Sequence, residues 1–396
     1  MPVYLDHAAT TPMFPEVIEA MAAQQGRVGN PSSLHTAGRA ARRIVEESRE
    51  RLAQAVGARP SEVVFTGGGT ESDNLAVTGT YRARRDADPC RTRVVVSDVE
   101  HPAVLDCAGF LAAHEGAKGS RVGCDPSGVV SPEAVRAAIE EDPGSVALVS
   151  VMWANNEVGT VQDVAGIAAT AHEHAIPFHT DAVQALGHVP VDFAAAGADL
   201  MTVTAHKVGG PVGVGALLLR RDATVVPLTH GGGQERQVRS GTLDAAAVLG
   251  FALAAEKAVG DLAAEAGRVA ALRDRLVCGA MALGLGIRPG GVWQAGDHDR
   301  RLPGNAHLLV PGCAGDSLLY LLDAAGIECS TGSACHAGVP QPSHVLLAMG
   351  LSESEARGAL RLTLGHTSTD GDVEAFLGAL PGVVERARRA AGGSAS

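Results

Sequence analysis

The sequence predicts an α/β fold, a mainly parallel sheet covered by helices, followed by a smaller domain. Three observations predict it. From about residue 60 to 220, short β-branched runs alternate with helical stretches, which is the pattern of βαβ units. Polar, glycine-bearing clusters follow directly after most of those runs, where an open α/β sheet binds its ligands. A chain of 396 residues, 46% apolar and 19% charged, also has ample material for a buried core.

Taken in order, residues 37–56 read as a long helix stopped by Gly57. Strand-like runs follow at 62–66 (EVVFT), 93–97 (RVVVS), 146–152 (VALVSVM), 176–180 (IPFHT), 199–204 (DLMTVT) and 213–220 (GVGALLLR). A helical stretch, 164–174, lies between the third and fourth of these. Residues 243–283 are Ala-rich with few breakers and read as helical, and 284–296 is rich in Gly and Pro. The last hundred residues mix strand-like segments (306–310, 358–364) with helices (317–325 and from Asp370 onward). These readings divide the chain into a large domain, 15–255, and a small one built from 1–14 and 256–396. The tail AAGGSAS is expected to fray.

Composition excludes several functions. Acids outnumber bases 44 to 32, a net charge of −12, the wrong balance for a phosphate-backbone partner. Two Trp, three Tyr and seven Phe give little to stack single-stranded bases on. No apolar run approaches the ~20 residues that span a bilayer, and the start MPVYLDHAATTP lacks a secretory pattern, so neither nucleic acid nor membrane is expected as a partner. Seven Cys without a CxxC pair suggest a reducing cytoplasm and at least one working thiol rather than a disulfide framework. Glycines number 49, about 12% against a usual ~7%, and cluster in loops. Lysine is scarce: Lys118, Lys207 and Lys257 are the only three.

Several clusters carry chemistry. Gly67-Gly68-Gly69-Thr70-Glu71-Ser72-Asp73 follows a strand, and its glycines let backbone N–H groups approach an anion. Thr70 and Asp73 are spaced like a capping box, and an ordinary capped turn is the plain alternative. The spacing matches neither a Walker nor a dinucleotide loop. Thr204-Ala205-His206-Lys207-Val208-Gly209-Gly210-Pro211 ends another run, so Lys207 emerges into the ligand crevice, where an amine can form a Schiff base with an aldehyde cofactor. A solvated surface Lys is the alternative, made less attractive by the scarcity of lysine.

In His179-Thr180-Asp181-Ala182-Val183-Gln184, an Asp leaving an apolar strand needs a partner, and a pyridinium nitrogen is a suitable one; a helix cap is an equally good reading. Gln184 could reach the same ring. Asn155 and Asn156 at a strand end can hold a phenolic oxygen or carboxylate, or simply build a turn. His101 offers a flat imidazole for ring stacking and proton movement, though most single histidines lie in loops without a role. In Ser330-Thr331-Gly332-Ser333-Ala334-Cys335-His336-Ala337-Gly338, small residues surround one Cys with a base beside it, which suits a reactive thiolate. Cys107 and Cys278 instead read as buried structural thiols. Arg361, in LRLTLGH, can clamp a carboxylate bidentately or be one surface Arg among many. A Schiff-base amine, a pyridinium partner, an anion cradle, a ring stacker and a carboxylate clamp are together what pyridoxal phosphate needs with an amino-acid substrate.

With these motifs the sequence closely resembles the cysteine desulfurases, fold-type-I pyridoxal-phosphate enzymes of the class V aminotransferase group. The resemblance runs through YLDHAATTP (4–12), GNPSSLHTAGRAAR (29–42), VVFTGGGTESDNLAVTG (63–79), EHPAVL (100–105), NNEVGTVQ (155–162), HTDAVQALG (179–187), AHKVGGPVGVGAL (205–217), GGGQERQVRSGT (231–242), STGSACHAG (330–338) and LRLTLGHTST (360–369). It implies a large domain with a mainly parallel seven-stranded sheet and a smaller α+β C-terminal domain. It implies that Lys207 holds the cofactor covalently, that Asp181 pairs with the pyridine nitrogen and Gln184 with the ring hydroxyl, and that His101 stacks on the ring. Gly69, Thr70, Thr204 and His206 would bind the phosphate, joined by Thr242 from the neighbouring subunit of a homodimer. Asn156 and Arg361 would hold the substrate carboxylate, and Cys335 would be the nucleophile that takes sulfur from L-cysteine as a persulfide.

The GSAC context resembles the branch that serves iron–sulfur and thio-cofactor assembly, so a sulfur-acceptor or scaffold protein is the implied partner and the cytoplasm the implied location. No resident metal is expected; the resemblance leaves open only that Cys335 transiently ligates an iron–sulfur cluster. His7, His366 and Asp244 stand where relatives commonly have Asn, Arg and Asn, and Thr204 where Ser is usual. The alternatives are a selenocysteine lyase or pathway-dedicated desulfurase, then an aminotransferase without sulfur chemistry, and, outside enzymes, a catalytically inert sulfur-relay scaffold.

Overall fold

The structure, a computed structural model, describes residues 2–297, 299–332 and 341–393. The Cys335 assignment therefore lies outside the described residues. The chain opens with β1 (Val3–Tyr4), α1 (Pro15–Gln25) and α2 (Thr36–Ala55). Pro15 sits at the first helical position of α1, where its missing N–H is no loss. The ring of His35 caps α2 by accepting from Gly38 N–H. Ala41, Val45, Ser48 and Leu52, at helical spacing, are the buried stripe of α2.

Seven strands then build the main sheet: β2 (Val63–Thr66), β3 (Arg93–Ser97), β4 (Lys118–Val122), β5 (Val146–Ser150), β6 (Phe178–Asp181), β7 (Leu200–Thr204) and β8 (Gly215–Leu219). Their order is β2-β8-β7-β6-β5-β3-β4. The pairings from β7 through β4 are parallel, and β8 runs antiparallel to both its neighbours. Between the strands lie α3 (Gly69–Ala87), α4 (Pro102–His114), α5 (Pro132–Glu140), α6 (Val164–Glu173) and α7 (Phe193–Ala196).

Side chains alternate between faces with period two. Val64, Val94, Val96 and Leu217 join the cluster under α3 and α4, while Phe65, Val95, Val149, Phe178 and Leu218 join the larger cluster that includes residues of α2 and α6. The sheet is thus mainly parallel and seven-stranded, as expected. β4 was not legible: it is an edge strand whose sequence, KGSRV, buries only Val122 and has no apolar alternation to detect.

The helical stretch read over 243–283 is two helices, α8 (Ala245–Gly260) and α9 (Leu262–Ala282). The break falls at Gly260-Asp261, a poor helix pair. Asp244 caps α8, accepting from Ala246 N–H and Ala247 N–H at 2.9 and 3.0 Å, so Asp does there what Asn would.

The rest comprises β9 (Arg288–Pro289), β10 (Asn305–Leu309), α10 (Gly315–Asp323), β11 (Ile327–Glu328), α11 (His344–Ala348), α12 (Glu353–Ala356), β12 (Ala359–Thr363) and α13 (Asp370–Gly393). β12, β10 and β9 form an antiparallel sheet, and β1 pairs with β11 in parallel. Leu5, Leu276, Leu308, Leu318, Leu360 and Phe376 belong to one apolar cluster that unites the N-terminus with this region. The tail expected to fray from Ala390 is helical as far as Gly393. Among the described residues no helix is long and apolar enough to cross a membrane.

Candidate functional site

A cavity of about 540 Å³ opens where the chain leaves β5, β6 and β7, against the start of α3. Ten of the predicted site residues line it: Gly69 and Thr70 from α3, His101 ahead of α4, Asn156 after β5, Asp181 and Gln184 at the end of β6, Thr204, His206 and Lys207 at the end of β7, and Arg361 from β12. Thr242 is exposed and does not line it.

The anion cradle comes first. Gly68, at φ 149° and ψ −178°, occupies a conformation that only glycine adopts readily. It is the N-cap of α3 and brings no side chain, so the N–H groups of Gly69 and Thr70 have no acceptor among the described residues. A Cβ on Gly69 would meet Val183 Cγ2 at 2.9 Å. Free N–H groups at the positive end of a 19-residue helix fit a phosphate. The capping box read from Thr70 and Asp73 does not form. The helix starts earlier, at Gly69, so Thr70 is already in its first turn, and Glu71 instead accepts from Gly67 N–H at 2.6 Å.

Asp181, 5% exposed, accepts from Val183 N–H at 2.8 Å. Its pKa is raised by burial, against the pull of the His101 ring and the Lys207 amine. An anion held at the bottom of a cavity fits a pyridinium nitrogen. Gln184 donates to Ala8 O at 3.0 Å. Lys207 Nζ donates to Ala8 O and Ala9 O at 2.5 and 2.6 Å. Burial, then the nearby Arg361, bring its pKa from 10.5 to about 8, opposed by Asp6 and Asp181. An amine partly neutral near physiological pH is the nucleophile a Schiff base requires. Thr204 Oγ1 donates to Val214 O at 3.2 Å, and His206 Nδ1 faces Thr10 Oγ1 at 3.4 Å.

His101 does two things. It caps α4, accepting from Ala103 N–H at 3.1 Å, and presents its ring to the cavity, with its pKa lowered chiefly by burial. The two asparagines separate. Asn155 is a turn builder: its Oδ1 accepts from Glu157 N–H and Val158 N–H, both at 2.9 Å, while Asn156 lines the cavity. Arg361 donates to Asp6 Oδ1 at 2.7 Å and to Asn156 O at 3.0 Å. Its Nε is buried without a partner. An unsatisfied guanidinium N–H beside the cavity fits a substrate carboxylate.

The 333–340 stretch, with Cys335, lies outside the described residues, but both its flanks reach the cavity. Ser330 and Gly332 line it on one side, and Gln341 to His344 on the other. Ser343 Oγ donates to the buried Glu157 at 2.5 Å. Cys107 is buried as expected, whereas Cys278 is exposed, because its position on α9 falls outside the buried stripe of that helix. Cys329 is buried and burial pushes its thiol up to about 12, so it is a poor nucleophile.

Sequence reasoning missed the supports. Asp6, which anchors Arg361, and the Ala8 and Ala9 carbonyls, which hold Lys207, come from the YLDHAATTP segment far away in sequence. Buried Asp73, Glu100 and Glu157 were also missed as site groups. His7 is a neutral buried ring, its pKa driven to about 3 chiefly by burial, bonded to Thr11 Oγ1 at 2.6 Å. His366 packs on Phe14, 4.5 Å between ring centres, and lines a separate cavity of about 310 Å³.

The family model for class-V aminotransferases matches residues 3–376. An IscS-like cysteine desulfurase of Mycobacterium tuberculosis (strain ATCC 25618 / H37Rv) is 59% identical over 388 residues, 98% of each chain. The cysteine desulfurase IscS of Methanosarcina thermophila is 39% identical over 387 residues, 98% of this chain and 93% of the relative. Among solved structures, the NifS-like protein from Rickettsia africae ESF-5 superposes with a TM-score of 0.85 at 29% identity, covering 97% of this chain and 100% of the other.

Proposed function

The chain belongs to the class-V aminotransferase family, and from that premise we infer that it is a pyridoxal-phosphate-dependent cysteine desulfurase, converting L-cysteine to L-alanine and a protein-bound sulfur. The observation that carries this reading is the convergence, in one cavity, of a half-buried Lys amine, a buried carboxylate, a cradle of free helix N–H groups and an Arg with a free donor.

The bound cofactor supplies a covalent link to the substrate amine and an electron sink for the carbon beside it. In this reading the chain's residues do the rest. Gly69, Thr70, Thr204 and His206 hold the phosphate, Asp181 keeps the ring nitrogen protonated, and Gln184 and His101 fix the ring's edge and face. Arg361 and Asn156 orient the substrate carboxylate. Lys207, its amine's pKa lowered chiefly by burial, would take the α-proton as a general base. Cys335 attacks the substrate sulfur: a new S–S bond forms, the carbon–sulfur bond breaks, and the sulfur stays on Cys335 as a persulfide.

A thiol acceptor then takes that sulfur, and an acceptor or scaffold protein for iron–sulfur or thio-cofactor assembly is the partner we propose, with cytoplasm as the location. We further propose a homodimer in which the exposed Thr242 of each copy completes the phosphate site of the other, and a division into 15–255 and 1–14 plus 256–396 as working domains.

Mass spectrometry of the purified protein after incubation with L-cysteine tests the reading. Added sulfur mapped to Cys335, with alanine released in step, is the expected result. Transamination that survives Cys335→Ala, giving the thiol-bearing oxo acid instead of alanine, would replace it with aminotransferase chemistry.

A further inference from the structure

The floor of the cavity and the layer behind it hold more carboxyl groups than the reaction above employs: Asp73 and Asp181 line the cavity, and Glu100 lies behind them. Asp181 ends β6, Asp73 sits within α3, and Glu100 precedes α4; they are 5%, 1% and 0% exposed. Their surroundings differ. Asp181 has the Val183 N–H at 2.8 Å and faces the His101 ring and the Lys207 amine. Glu100 accepts from Ser97 Oγ and Met152 N–H at 2.5 and 2.7 Å and feels Arg121 at longer range.

Asp73 has less help: the Thr202 hydroxyl is its one donor. Its Oδ1 is buried without a hydrogen-bond partner. The groups that face it are Asp181 and His179 from β6, Thr202 from β7, Glu100 ahead of α4 and Cys107 within α4, and none of them is a cation. His179 is fully buried, with Nδ1 2.8 Å from Ser150 Oγ and Nε2 3.1 Å from Thr202 Oγ1. Burial holds that ring's pKa at about 3, so it brings no positive charge.

An unpaired buried anion costs several kcal/mol. Two carboxylates in one dry site do not both ionise. Where one of the two must keep its proton, the carboxyl with a single hydroxyl donor and no cation facing it keeps it. That proton has an acceptor in view: Asp73 Oδ1 and His179 Nε2 are 3.6 Å apart, and the Thr202 hydroxyl, donating to Asp73, leaves the Nε2 lone pair open. A closure of about half an ångström brings them to hydrogen-bonding distance.

We propose, resting on the cofactor assignment above, that Asp73 is a positioning residue held as a neutral carboxylic acid, which donates to His179 and leaves Asp181 as the anion beneath the cofactor's ring nitrogen. His179, accepting at Nε2, then carries its proton on Nδ1 and donates it to Ser150. An ionised Asp73 would instead raise the cost of ionising Asp181, the charge the ring nitrogen needs.

The test is infrared difference spectroscopy of the holoenzyme between pH 6 and 7. Asp73→Asn is expected to lose one carbonyl stretch belonging to a buried protonated acid. Glu100→Gln should lose a different one, and Asp73→Ala should loosen cofactor retention that Asp73→Asn restores. If Asp73→Asn does not fold, wild-type holoenzyme carrying ¹³C-carboxyl aspartate replaces it, with one isotope-shifted protonated band expected. A yellow, cysteine-consuming enzyme with no Asp-derived protonated band, or with the band intact in Asp73→Asn, overturns this proposal alone. A protein that never turns yellow with pyridoxal phosphate overturns the cofactor reading instead.

Discussion

Replacing Glu100 by Gln is expected to flatten the alkaline loss of stability. Glu100 is fully buried, and burial moves its pKa from 4.5 to about 8, the hydrogen bonds from Ser97 and Met152 opposing the shift only in part. Between those two values the folded protein keeps a proton that the unfolded chain has released. Stability therefore falls as pH rises through this window, by about 1.4 kcal/mol per pH unit, and the full penalty is present above pH 8. Moving from 4.5 to about 8 at that slope amounts to about 5 kcal/mol.

Gln has no charge to bury. Its carbonyl can accept from Ser97 and Met152, and its amide takes the place of Oε2, which has no partner. The assay is the urea midpoint of wild type and Glu100→Gln holoenzyme from pH 5 to pH 9. The variant should gain on wild type steadily across that range. A constant difference between the two curves would show that Glu100 is ionised when folded, and the burial argument for this floor would fail with it.

Lys207→Ala is expected to lose the yellow absorption of bound cofactor; persistence of that band would remove the central assignment. Cys335→Ala should still turn yellow yet form no persulfide, and sulfur mapped to Cys329 in the wild type would show that the wrong thiol had been chosen. Arg361→Lys keeps the charge but loses the planar fork, so kcat/KM for L-cysteine should fall roughly 10- to 100-fold, the worth of one charged hydrogen bond; an unchanged kcat/KM would show that the carboxylate binds elsewhere.

What the sequence carried was local chemistry. The runs RVVVS and VALVS are strands because β-branched side chains suit a pleated, two-sided core. The glycines at 67–69 and the Thr204–Pro211 stretch announce a ligand because each follows such a run. KGSRV escaped notice as a strand because an exposed edge needs no pattern. Asp73 was legible as a polar residue near a helix start but not as the floor of a cavity. Which groups face it depends on α3 crossing β6 and β7, and a two-residue shift of the N-cap, from Thr70 to Gly68, undid the capping box.

The support of Lys207 and Arg361 was equally out of reach. Ala8, Ala9 and Asp6 lie 198 residues or more away along the chain and are brought there by long-range contacts: the pairing of β1 with β11, the packing of Leu5 into the second core, and backbone bonds from this segment to Thr363 and His206. By itself, then, the sequence determined the fold class and the cofactor chemistry, and it named ten residues that line the cavity, since these follow from side-chain type, neighbours and the motifs shared with the family. The tertiary structure decided which carboxyls are pushed up in pKa, which amine is pushed down and which donor is free, because burial and long-range contact set those properties and neither is a local quantity.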